Sequence, residues 1–271
     1  MIITSFRNPR VKYLRSLRVH KYRQQEGRYL IDGIRIVEEA LSLGAPVETL
    51  IYAPDLLVSD RAQALVERVE PADRLALSGE VMATLSDRDQ PQGIAAVVRI
   101  QDPPLASIPW NEDLLVVVAY ELRDPGNLGA IVRTADAAGA SGVVVVEPAV
   151  DLYDPQTVRA TMGSLFALPI VRVSGGEALQ AWYRELRGTG LALSVVASSA
   201  HGQALYYEAD YRQPLVLLLG SERQGLAEEV KREADVVVRL PQTGRATSLN
   251  VSAAAAVLIY EVVRQRAAGS D

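Results

Sequence analysis

The sequence predicts an α/β fold: a small mixed layer followed by a larger, mostly parallel sheet with helices on both faces. Three observations support this. Runs such as LLVVVA (114–119) and PLVLLLG (214–220) are apolar at every position, so both faces of those strands need cover. Strand-like and helix-like segments alternate throughout the second half. The last helical segment carries one polar side chain, Ser252, between Val251 and Tyr260, so it needs burial on every side, in a central position or at a subunit interface.

The elements follow in order. A basic helix near 8–25 leads into RYLIDG, a strand and turn. IRIVEEALSLG has helical spacing at Ile34, Val37, Ala40 and Leu41 and stops at Gly44. VETLIYA and GIAAVVRI read as strands, DRAQALVERV as a helix. These make a first domain, 1–100. QDPPLASIPW holds three prolines and little periodicity, and marks a linker at 101–112. The second domain, 113–267, shows strands at 114–120, 142–146, 168–173, 191–197, 214–220 and 236–240. Its helices fall near 127–138, 155–163, 176–187, 225–234 and 248–266.

Composition narrows the function. The 271 residues include no cysteine and two histidines, His20 and His201, which excludes thiolate metal sites and gives a metal centre little to use. No signal peptide or membrane-length apolar run is evident, so the expectation is a cytoplasmic protein. The net charge of −5 hides an asymmetry. Residues 1–29 hold eight basic side chains against Glu26, a net of +7, which leaves −12 on the other 242. With Phe6, Tyr13, Tyr22 and Tyr29 interleaved, this arm suits phosphates and bases, and Arg7, Arg10, Lys12, Arg15 and Arg18 are candidate RNA contacts. A solvated basic helix is the plainer reading.

The segment YELRDPGNLGAIVRTADAAGASGVVVVEP (120–148) first suggests a dinucleotide-binding unit, with Glu147 about where a ribose-binding acid would sit. Its glycines, Gly126 and Gly129, do not form G-x-G-x-x-G, so a nucleotide-dependent oxidoreductase is disfavoured. The turn offers Asn127, either a helix cap or a site residue, and Arg133 among apolar neighbours. A second strand ends in Gly220-Ser221-Glu222 with Gly225 closing the turn, which reads as an ordinary turn or as close backbone approach to a ligand. A third ends at Pro241, followed by a loop and then Ser248-Leu249-Asn250 at a helix start.

Together these segments resemble the SpoU/TrmH family of RNA 2'-O-ribose methyltransferases, of the SPOUT class. The first motif, Asn-x-Gly-x-x-x-Arg-Thr-Ala, is matched by Asn127, Gly129, Arg133, Thr134 and Ala135. The second, Gly-x-Glu-x-x-Gly, is matched by Gly220, Glu222 and Gly225. The third is matched by Pro241, Gly244 and Ser248 through Ser252. VRATMGSLFALPI (158–170) is similar to an intermediate family stretch. The first domain resembles the L30e-like substrate-binding domain through NPRVKYLRSL and YLIDGIRIVEEAL, with Asp32 where relatives more usually carry Glu.

The resemblance implies a deep C-terminal trefoil knot, S-adenosyl-L-methionine as cofactor, a homodimer with the active site at the interface, and no metal. It places Leu219, Gly220, Gly225, Leu240, Gly244 and Leu249 at the cofactor. It gives Arg133 the activation of the ribose hydroxyl, with Asn127, Glu222, Ser248 and Asn250 orienting it or the ribose. RNA is the implied partner, with large-subunit rRNA favoured. A tRNA 2'-O-methyltransferase and a non-catalytic RNA-binding protein on the same scaffold are the alternatives.

Overall fold

A computed structural model describes residues 2–70 and 74–268, and counts refer to these. The chain forms two compact units, Met1–Gln101 with Asp151–Ala167, and Asp102–Val150 with Leu168–Asp271.

In the first unit the basic segment forms two helices, α1 (Pro9–Ser16) and α2 (His20–Glu26), rather than one. The break has a cause. Val19 is extended, and the Leu17 carbonyl that a continuing helix would use accepts instead from Arg23 Nη1 at 3.1 Å. There follow β1 (Arg28–Asp32), α3 (Ile34–Ser42), β2 (Val47–Tyr52), α4 (Asp60–Glu67), β3 (Arg74–Ala76), α5 (Gly79–Ala83) and β4 (Ile94–Arg99). The sheet order is β1-β4-β2-β3, with only β2 and β3 parallel. Its core joins Val11 and Leu14 of α1 and Leu17 just after it to Ile51, Leu77, Met82 and Val97.

The second unit begins with an anchored connection: in the proline-rich stretch Ile108 is fully buried and packs beside Gly142. It continues with β5 (Leu115–Tyr120), α6 (Pro125–Ala137) and β6 (Gly142–Val146). The chain then enters the first unit as α7 (Pro155–Thr161), which ends two residues short of the sequence expectation because Met162 and Gly163 take positive φ. It returns as β7 (Ile170–Val173), α8 (Gly176–Gly188), β8 (Ser194–Ser198), β9 (Ala204–Leu205), β10 (Leu215–Leu219), α9 (Glu228–Arg232), β11 (Val236–Arg239) and α10 (Val251–Ala268). The seven strands run in the order β7-β6-β5-β10-β8-β11-β9, every pair parallel.

On one sheet face Val116, Val118, Val144, Val216 and Leu218 meet Trp182, Tyr183 and Leu186 of α8. The alternate residues Val117 and Leu217 are equally buried, so the other face is covered too, as the all-apolar strands required. Trp182 and Tyr183 are packing residues. The sequence left the last helix two settings, a central position or a subunit interface, and its own chain covers only part of it. In the single chain α10 packs against α6 but leaves Ala253, Val257 and Tyr260 exposed, at spacings of four and three that define one stripe.

Candidate active site

The site grows from the carboxyl ends of the central strands, where a parallel sheet places its loops. After β5 the chain turns through Glu121, a non-glycine residue at φ 54°, to Asp124. Asp124 caps α6, its Oδ1 accepting from the Asn127 amide at 2.8 Å, with Pro125 as the first helical residue. The cap is therefore Asp124 and not Asn127, whose side chain is left free.

That side chain joins the three motif segments. Asn127 is 8% exposed, and its Nδ2 donates to Glu222 Oε1 at 2.9 Å. Its Oδ1 accepts from Asn250 Nδ2, also at 2.9 Å. Asn250 Oδ1 in turn accepts from the Ser252 hydroxyl at 2.6 Å and the Ser252 amide at 2.9 Å, so Asn250 caps α10 from outside it. The polarity of the chain is forced. An ionised carboxylate only accepts, which fixes the orientation of Asn127 and then of Asn250.

The amides of Arg123 and Asp124 also donate to Glu222, at 3.3 and 3.4 Å. Partial burial works to raise the Glu222 carboxyl, but the Asn127 side chain and these amides outweigh it and hold it below the usual carboxylate range. Glu222 is an anion at neutral pH, held entirely by neutral donors.

Beside this network the loops after β8, β10 and β11 enclose a cleft of about 510 Å³. Leu219, Gly220, Gly225, Leu240 and Leu249 of the expected cofactor set line it, as do Glu222, Ser248 and Asn250. Gly244 and Asn127 are not among its walls. Gly220 is needed for a reason other than ligand approach: a Cβ there would collide with the backbone of Gly225 and Leu226, where the loop folds against itself. Ser198, Ser199, His201 and Lys231 also line the cleft and were missed. The signal was present for the first three, because they follow a strand whose carboxyl end had to open on the same edge.

Arg133 is exposed, has no partner among the described residues, and does not line the cleft of its own chain. The helix explains this: six residues at about 100° each put it about 120° around α6 from Asn127. Glu147 lies beyond β6, 3.8 Å from Arg172 and away from the cleft.

In the basic arm the side chains of Arg7, Arg10 and Lys12 are exposed and have no hydrogen-bond or ion-pair partner among the described residues. Arg15 Nε donates to Thr84 at 3.0 Å and its guanidinium lies 5.5 Å from the Phe6 ring, while Arg18 pairs with Asp87. Arg23 is structural: 1% exposed, it donates twice to Asp151, at 2.6 and 3.0 Å, and His20 meets the same carboxylate at 2.8 Å. Tyr29 is buried against Tyr153. Among the described residues no cluster of three His, Asp or Glu could hold a metal ion, and no helix is long and apolar enough to cross a membrane.

Comparison with known proteins agrees with this geometry. Residues 114–260 match the SpoU rRNA Methylase family, and residues 8–96 match the MRM3-like substrate binding domain. A 23S rRNA (uridine(2479)-2'-O)-methyltransferase of Streptomyces viridochromogenes is 36% identical over 91% of this chain and 86% of its own length. The 23S rRNA (guanosine(2553)-2'-O)-methyltransferase RlmP of Bacillus subtilis is 31% identical over 96% of this chain and 98% of its own. Among solved structures, the SpoU methyltransferase AviRb of S. viridochromogenes in complex with AdoMet superposes with a TM-score of 0.90, at 35% identity over 96% of this chain and 99% of that one. An AdoMet-bound rRNA methyltransferase of Sinorhizobium meliloti gives 0.85, at 38% identity over 97% of each chain. Motifs, sheet and relatives converge: the chain belongs to the SpoU rRNA methylase family.

Proposed function

We propose that the protein transfers a methyl group from S-adenosylmethionine to a ribose 2'-hydroxyl of large-subunit rRNA. The observation that carries the reading is the hydrogen-bonded line Glu222–Asn127–Asn250, which ties the three motif segments together at the rim of one cleft. The cleft fits the cofactor. Its volume lies within the range of small-molecule sites, and Leu219, Leu240 and Leu249 give apolar walls beside polar serines. Bound there, S-adenosylmethionine supplies a methyl group already activated on sulfonium sulfur.

The chain's own residues supply orientation and charge. The Glu222 anion and the two asparagines hold the rim rigid, which matters because in-line attack is sensitive to alignment. The Arg133 guanidinium stabilises by charge the alkoxide that develops on the attacking 2'-oxygen as the hydroxyl proton passes to water. Its distance from its own cleft supports a homodimer in which the Arg133 of one protomer serves the cleft of the other. The exposed stripe of Ala253, Val257 and Tyr260, with exposed Leu249, is the apolar surface such a dimer would bury. Arg7, Arg10 and Lys12 guide the RNA, the C-terminal segment threads a trefoil knot, and the protein works in the cytoplasm. The rRNA named for the two relatives above favours large-subunit rRNA over tRNA.

The test is methyl transfer from tritiated S-adenosylmethionine to unmethylated large-subunit rRNA and to tRNA, followed by alkaline hydrolysis. A 2'-O-methyl blocks cleavage at its own phosphodiester, so label is expected in alkali-stable dinucleotides from rRNA. Label in mononucleotides, or none, would contradict the proposal.

A further inference from the structure

Two arginines beside the cleft lack counter-charges. Glu222 is ionised, but Asn127 and two backbone amides occupy it and it makes no ion pair among the described residues. One flanking residue, Arg223, lines the cleft. Arg123, whose own amide reaches Glu222, stands at the same rim. Both side chains are exposed, and neither guanidinium has a hydrogen-bond or ion-pair partner among the described residues. The nearby acid Asp124 is engaged in capping α6. The rim thus carries Arg223, with Arg123 next to it at Glu222, both without counter-charges on a chain whose residues after 29 carry a net −12.

The reaction says what belongs there. A ribose 2'-oxygen is bonded to the carbon next to the one bearing the 3'-phosphodiester, so presenting the oxygen at the rim brings that phosphate, and its neighbour along the strand, to the same place. An acidic body would repel the strand unless local cations met it, and guanidinium matches phosphate with two parallel hydrogen bonds. We propose that Arg123 and Arg223 clamp the phosphodiesters flanking the target ribose, so that the cleft accepts a polynucleotide strand rather than a free nucleoside. The inference rests on the methyl-transfer reading.

The test measures binding of unmethylated large-subunit rRNA transcript to the full chain, with S-adenosylhomocysteine present, across a KCl series. Wild type is compared with Arg123→Ala/Arg223→Ala, with Arg123→Lys/Arg223→Lys, and with Arg184→Ala, an exposed arginine of α8. The double alanine variant is expected to lower the slope of log affinity against log salt by about 1.4, at roughly 0.7 per single-strand phosphate contact. The lysine variant keeps most of the slope, which excludes misfolding, and Arg184→Ala leaves it unchanged.

A wild-type slope in the double alanine variant, or no rRNA binding by wild type, overturns the clamp. So does a loss of S-adenosylhomocysteine affinity with unchanged 5'-methylthioadenosine affinity, which would assign the arginines to the cofactor's carboxylate. If the slope falls as expected but wild type transfers no methyl group, the methyl-transfer reading fails and the phosphate site stands.

Discussion

Asn127 and Arg23 show how much a single residue's meaning depends on partners far along the chain. Asn127 bonds groups 95 and 123 residues away, and Arg23 bonds one 128 residues away. From the sequence Arg23 could not be told from Arg10, because burial is decided by Asp151. Removing Arg23 as Ala strands a buried carboxylate and should cost about 3–5 kcal/mol in denaturant unfolding, against little for Arg10→Ala. Asn127→Ala leaves Glu222 and Asn250 each short of a partner and should cost about 1–3 kcal/mol. The Asp151 carboxyl has a pH signature. Burial works to raise it, but His20 and Arg23 prevail and hold it below its ordinary value of 3.8. Its contribution is therefore complete above that value and is lost as pH falls through the folded one. The stability gap between wild type and Asp151→Asn should stay constant above about pH 5 and narrow in acid; a gap that widens in acid would reverse the assignment.

At the scale of elements, legibility followed length and pattern. The long strands β5, β6 and β10 were readable because continuous apolar runs have few other uses in a covered sheet. β9, with two residues, and α5, with five, are too short to show a period and were not expected. The two-helix form of the basic arm and the start of α10 at Val251 depended on caps and carbonyl partners that periodicity does not report. Of the site, the motif loops were legible, while the use of Asp124 as cap and of Gly220 against its own loop depends on contacts that only the folded backbone makes. Gly220→Ala should displace that loop, and S-adenosylhomocysteine should then no longer raise its melting temperature. A ligand-induced shift equal to that of wild type would show the loop tolerates a side chain.

For the whole molecule, one family match is to a substrate binding domain, over 8–96, and the other to the methylase family, over 114–260, and the second part lacks Arg133 at its own cleft. If protomers exchange this residue, Tyr260→Arg on the exposed stripe should yield monomers by light scattering and lose transfer. Mixing inactive Arg133→Ala chains with inactive Gly220→Ala chains should restore activity, since a heterodimer holds one cleft with both parts intact. The most direct measurement of the central claim compares Arg133→Ala with wild type in single-turnover methyl transfer to rRNA, alongside S-adenosylhomocysteine affinity for each. The account predicts equal affinity and transfer slower by roughly a hundred-fold or more, on the scale of losing one electrostatic stabiliser. Equal transfer rates would contradict it.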